Sequence, residues 1–115
     1  MLARGQDSEM LRYTLGDAYF EQQQFEKAAE HLHKALEFKP DYSAGWRLLG
    51  KTLTALERYR EASEAFDEGM RHAQNNGDIQ ALKEMTVFKR RAEKQLQKTK
   101  DAAAIAKSDA DNSAS

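Results

Sequence analysis

Trp46-Arg47-Leu48-Leu49-Gly50 reads W-x-x-L-G, and 34 residues earlier Arg12-Tyr13-Thr14-Leu15-Gly16 stands in the same frame. The same slide places Ala28 on Ala62, Glu30 on Glu64, Phe25 on Tyr59, Leu32 on Phe66, Ala35 on Gly69 and Leu36 on Met70. Small and large apolar residues that return in phase at this period mark a stacked repeat, in which each unit buries its apolar face on the next.

Working outward from that echo, the apolar spacing is helical throughout. Leu11, Leu15, Ala18 and Tyr19 form one stripe, and Asp7 or Ser8 can cap it by accepting from a free amide of the first turn. Gln22-Gln23-Gln24 marks a tight connection. Phe25, Ala28, Ala29, Leu32, Ala35 and Leu36 form a second helix running to about Phe38, where Pro40 stops it by disfavouring helical geometry at Lys39. The second unit repeats the plan. Asp41 or Ser43 caps a helix carrying Trp46, Leu49, Leu53 and Leu56, and its partner carries Tyr59, Ala62, Ala65, Phe66, Met70 and Ala73. Asn75-Asn76-Gly77 ends that partner in a left-handed conformation. Asp78 then caps a fifth helix with Ile79, Leu82, Met85, Phe88, Ala92 and Leu96 on one side. Lys83, Lys89, Arg90, Arg91, Lys94 and Lys98 lie mostly on the other. After about Lys98 the composition turns to Ala, Ser, Asp and Asn, which predicts a disordered tail.

At these residues the chain resembles the tetratricopeptide repeat family, whose consensus pairs W-x-x-L-G-x-x-Y with A-x-x-x-F and a closing proline. The second unit matches with Trp46, Leu49, Gly50, Ala62 and Phe66, but has Leu53 and Gln74 for the tyrosine and proline. The first matches with Leu15, Gly16, Tyr19, Ala28 and Pro40, but has Arg12 and Leu32 for the tryptophan and phenylalanine. Arg12 suits the open edge of a stack, where no earlier repeat covers it. The expected fold is therefore all-α, a right-handed superhelix of antiparallel helical hairpins with five helices. Its expected layout is a flexible 1–7, repeat 1 over about 8–41, repeat 2 over about 42–76, a capping helix over about 78–98 and a loose 99–115. Gly16 facing Ala28, and Gly50 facing Ala62, would bring the helices of each hairpin close. Ala35 and Gly69 would do the same for the helix that stacks next.

The resemblance also implies a function. In this family the first helix of each hairpin lines a concave side where peptides lie. Here that side would present Met10, Tyr13, Asp17 and Phe20, then Ala44, Arg47, Lys51 and Thr54, then Ala81, Met85 and Phe88. Arg47 and Lys51, one turn apart, would form a positive centre between apolar flanks, suited to a carboxylate. The plainer alternative is that Tyr13 and Phe20 pack on helix neighbours while Arg47 and Lys51 are solvated and pair with nearby acids. Relatives that grip the carboxylates of chaperone tails use lysines, asparagines and an arginine at places that hold Tyr13, Asp17, Leu48, Asp78 and Leu82 here. That clamp is absent.

Composition bounds the rest. Charged residues make up 32% of the 115-residue chain and nearly cancel to −1, which argues against a dedicated nucleic-acid binder. The absence of cysteine excludes disulfides, thiol catalysis and thiolate metal sites. Residues 1–7 have no apolar core for a secretion signal, and no stretch reaches the roughly 18 apolar residues of a membrane span, so the cytoplasm is the expected location. His31 and His33 fall on different helix faces, and Ser8, Ser43 and Ser63 have no His and Asp arranged to activate them. No cofactor, metal or catalysis is expected. Residues 1–77 carry −3 and residues 78–101 carry +3. That division leaves two further readings beside a protein-binding adaptor or scaffold. One is a self-associating subunit; the other is contact of the basic terminal helix with RNA or an anionic surface.

Overall fold

The computed structural model describes residues 7–114, with side chains described to residue 105. It contains five helices: α1 Glu9–Glu21, α2 Phe25–Phe38, α3 Ser43–Ala55, α4 Tyr59–Asn75 and α5 Ile79–Ala114. No strand occurs among the described residues. Helix α1 packs on α2, α3 on α4 and α4 on α5, while α2 joins the two hairpins through α3. The first helices α1, α3 and α5 also touch in succession, whereas α2 and α4 do not meet. This is the expected superhelix of antiparallel hairpins.

The repeat extends to the turns. Gln23 and Glu57, again 34 apart, both take positive φ, at 60° and 61°. In each turn the following amide reaches back five residues, Gln24 N–H to the Tyr19 carbonyl and Arg58 N–H to the Leu53 carbonyl, both at 2.9 Å. This closure satisfies end carbonyls of the helix and normally recruits glycine or asparagine. Gly77 makes the third such turn at φ +73°. The caps divide. Ser8 accepts from the Leu11 amide at 3.2 Å and Asp78 from the Ala81 amide at 3.1 Å. Neither Asp41 nor Ser43 caps α3; Tyr42 holds that position without a side-chain bond. The junction is tied down by Trp46 instead, whose indole N–H donates to the Pro40 carbonyl at 2.7 Å.

Close approach is decided by glycine, with a different partner from the one expected. A Cβ on Gly50 would overlap the ring of Phe66, and one on Gly16 would sit 2.7 Å from Leu32 Cγ. The large residue of the second helix, not the alanine alone, fills the space the glycine leaves. Ala28 and Ala62 are fully buried beside it. Gly69 works between units as anticipated. A Cβ there would lie 2.6 Å from the Met85 sulfur and 3.0 Å from Trp46 Cβ, so its absence lets α3 and α5 both close on α4. The core is continuous from Ala29, Leu32 and Leu36 through Leu48, Leu49, Leu53 and Phe66 to Met85 and Ala92.

Three expectations need correction. Helix α5 does not end near Lys98 but continues to Ala114. Ala102-Ala103-Ala104 and Ala106 have the highest intrinsic helix propensity, and no glycine or proline interrupts them. Ile79, placed on the apolar side of α5, is 64% exposed because it occupies the first turn, before the helix reaches α4. The loose N-terminus falls largely on residues 1–6, outside the described residues, but Asp7 is held. The Arg12 guanidinium grips both its carboxylate oxygens at 2.8 Å and reaches His31 Nδ1 at 3.0 Å. His31 in turn stacks on Tyr19 with ring centroids 5.3 Å apart. Arg12, Asp7 and His31 thus finish the open edge where the second unit has its tryptophan, and His31 is half-buried.

Two outcomes follow from these contacts. Gly50→Ala should lower stability by about 1–3 kcal/mol through overpacking against Phe66, less about 1 kcal/mol of regained helix propensity; a urea midpoint above that of the parent protein would contradict the packing. The bond from Arg12 holds the Asp7 carboxyl below its usual range, with burial opposing. Its stabilising contribution is therefore full above the unfolded value and fades as pH falls through the lower folded value. Asp7→Asn should differ from the parent at neutral pH and converge with it at strongly acidic pH, as read by thermal melts across that window.

Candidate functional site

The face formed by α1, α3 and α5 gathers most of the residues singled out in the sequence. Toward the helix starts, Tyr13 of α1 lies against Tyr42, with centroids 5.3 Å apart. Tyr13 and Arg47 are half-buried, Ala44 and Ala81 line the same level, and Asp17 is exposed. Met10 is 70% exposed at the outer end. Arg47 is not a free cation. Its guanidinium bonds Glu84 of α5 at 3.2 Å. Burial works against its charge, but the neighbouring Tyr13 phenol and Glu84 carboxylate more than offset this and raise its pKa. Burial, with Tyr13 and Glu9 adding to it, likewise pushes the Tyr42 phenol up.

Toward the helix ends the chemistry changes. Lys51 Nζ lies over two rings, 5.4 Å from the centroid of Phe20 on α1 and 5.6 Å from that of Phe88 on α5. Each such contact contributes on the order of 0.5–2 kcal/mol. Phe20 is braced edge-on by Phe25 at 5.4 Å, and Phe88 leans on buried Phe66 at 5.8 Å. Between these rings is a cleft of about 280 Å³ lined by Phe20, Lys51, Thr54, Ala55, Phe66, Phe88 and Arg91. No carboxylate lines it. Among the described residues neither Lys51 nor Arg91 forms an ion pair.

The sequence therefore identified the face but not its division. The positive centre expected of Arg47 and Lys51 together rests on Lys51, because Arg47 spends its charge on an acid two helices further along the chain. Arg91, assigned to the solvent side of α5, stands one turn past Phe88 and lines the cleft; the i, i+4, i+7 spacing of Glu84, Phe88 and Arg91 was the available signal. Met85 does not belong to the face. It is fully buried against Gly69, because α5 turns that residue toward α4. Tyr13 and Phe20 do pack on neighbours, as the plainer reading had it, yet both stay half-exposed on the face shared by α1, α3 and α5. Lys89, read on the charged side of α5, pairs with Asp67 of α4 at 2.5 Å.

Comparison with known proteins gives a consistent picture. Residues 19–85 match a family model described as tetratricopeptide repeat. A TPR repeat-containing protein of Pseudomonas aeruginosa is 46% identical over 94 residues, covering 82% of this chain and 90% of that protein. A heat-shock cognate co-chaperone of Aspergillus fumigatus is 38% identical over 66 residues, which cover 57% of this chain and only 19% of the co-chaperone. Among solved structures, the solution structure of a Bordetella parapertussis protein superposes with a TM-score of 0.72 at 45% identity, covering 83% of each chain. The crystal structure of a tetratricopeptide repeat domain from Salinibacter ruber gives 0.68 at 26% identity, covering 74% of this chain and 96% of that one.

The assignment of Met85 to the core and Met10 to the surface is checked by truncation. Met85→Ala should cost about 2–5 kcal/mol and Met10→Ala within about 0.5 kcal/mol, compared by chemical denaturation of the two variants.

Proposed function

The chain belongs to the tetratricopeptide repeat family, and from that premise we propose that it binds a segment of another protein along the face of α1, α3 and α5. The single observation that carries this reading is Lys51. An ammonium without a carboxylate partner is held between two rings on the concave side. Protein surfaces that stay free usually neutralise such a group or leave it in open water. Here three helices position it among half-exposed aromatics, the composition favoured where proteins meet. Tyr13, Phe20 and Phe88 supply apolar contacts, Lys51 fixes an acidic group, and the Arg47–Glu84 pair sets the groove width between α3 and α5. Ala44 and Thr54 line the groove without bulk. This is the work of an adaptor or scaffold, with binding and not bond chemistry as its output.

The co-chaperone relative does not transfer its partner to this chain. The places that grip chaperone tails in such proteins hold Tyr13, Asp17, Leu48, Asp78 and Leu82, and Leu48 is buried in the core. No helix of the described residues is long and apolar enough to cross a membrane.

Affinity capture from the native host checks the reading. Tagged protein should retain a defined partner set that Lys51→Glu loses and Glu64→Lys, an exposed change on α4, keeps. Identical sets with all three baits would show that the concave face is not the binding surface.

A further inference from the structure

The cleft at the ends of α1 and α3 has walls of one kind and charges of one sign. Phe20, Phe66 and Phe88 form its apolar lining, with Ala55 and the methyl of Thr54 beside them. Among the described residues, Lys51 and Arg91 are the charged ones that line it. On α5, Glu84, one turn before Phe88, bonds Arg47, and Glu93 pairs with Lys89; Asp17 and Glu21, which flank Phe20 on α1, are exposed and do not line the cleft. At about 280 Å³ the cleft has room for one large side chain. An apolar side chain seated there would leave both cations facing whatever flanks it.

Resting on the peptide-groove reading above, we propose that the cleft is an anchor subsite for an internal partner segment in which a bulky apolar residue has an acidic residue two positions away on one or both sides. The spacing follows from chain geometry. In an extended segment residues two apart point the same way, roughly 6.5–7 Å from one another. The apolar side chain then enters between the phenylalanines while a carboxylate on the same face reaches Lys51 or Arg91. Adjacent acids would point away from the groove, and a basic neighbour would meet like charge. The cation–π contacts hold Lys51 at the mouth without neutralising it, so its charge is preorganised for an incoming carboxylate. The other end of the face selects differently: Arg47 is satisfied by Glu84, and the Tyr13 and Tyr42 rings offer contact without net charge.

Backbone and side-chain NMR of the full chain, titrated with defined peptides, tests this. Acetyl-Gly-Glu-Gly-Phe-Gly-Glu-Gly-amide should move the signals of Phe20, Lys51, Thr54, Phe88 and Arg91. Its Gln-for-Glu counterpart should need at least tenfold higher concentration, as should the acidic peptide with Arg91→Gln protein, a surface change that leaves the core intact. Equal binding of the Gln peptide would overturn the proposal. So would equally tight binding of N-acetylphenylalanine, which would assign the cleft to a chain end. Shifts confined to Tyr13 and Arg47 would remove this subsite while keeping the groove; no response anywhere on the face would remove both.

Discussion

Everything in this molecule depends on how near one helix of a hairpin can come to the other. At Gly50 there is no side chain, and the ring of Phe66 occupies the space where one would be. The same arrangement, Gly16 under Leu32, closes the first hairpin. Since each unit is only two helices, it cannot enclose a core by itself. The residue that seals a hairpin must also present an apolar flank to the next unit. Phe66 does both, filling the gap over Gly50 and supporting Phe88 of α5. A packing contact inside the array therefore reaches the candidate site directly.

That coupling explains why the face of α1, α3 and α5 is polar in one half and apolar in the other. Gly69 lets α5 close on α4 through Met85, which fixes the rotation of α5. With Met85 turned inward, Glu84, Phe88 and Arg91 must face the side shared with α3. Glu84 then meets Arg47 and cancels it, while Phe88 meets Lys51 and leaves it charged. One buried methionine thus decides which of two neighbouring cations remains available to a partner. The open edge of the array is finished by polar means instead: Asp7, Arg12, His31 and Tyr19 form a layer where an interior unit has tryptophan.

How much of this could be read in advance varies with the range of the interaction. Helix periods, the turn at Gln22–Gln24, the stop before Pro40 and the cap at Asp78 are local, and the residues concerned announce them. Gln23 and Glu57 are partial exceptions. Both adopt the left-handed turn conformation without being glycine or asparagine, and only their shared place in the 34-residue repeat links them. The extent of α5 was misread for a different reason. Small and polar residues resemble a disordered tail by composition, yet an alanine run extends a helix that is already nucleated.

The amino-acid sequence alone determined the repeat, its hairpins and the face on which α1, α3 and α5 lie, because each of these follows from spacing along one strand of covalent chain. Tertiary structure alone decided that Met85 is core, that Arg91 joins the cleft and that Arg47 is spent on Glu84. Those outcomes depend on the rotation of α5 about its own axis. An apolar side does not declare which of its residues will face the neighbouring helix until Gly69 and Trp46 have shaped the surface it lands on.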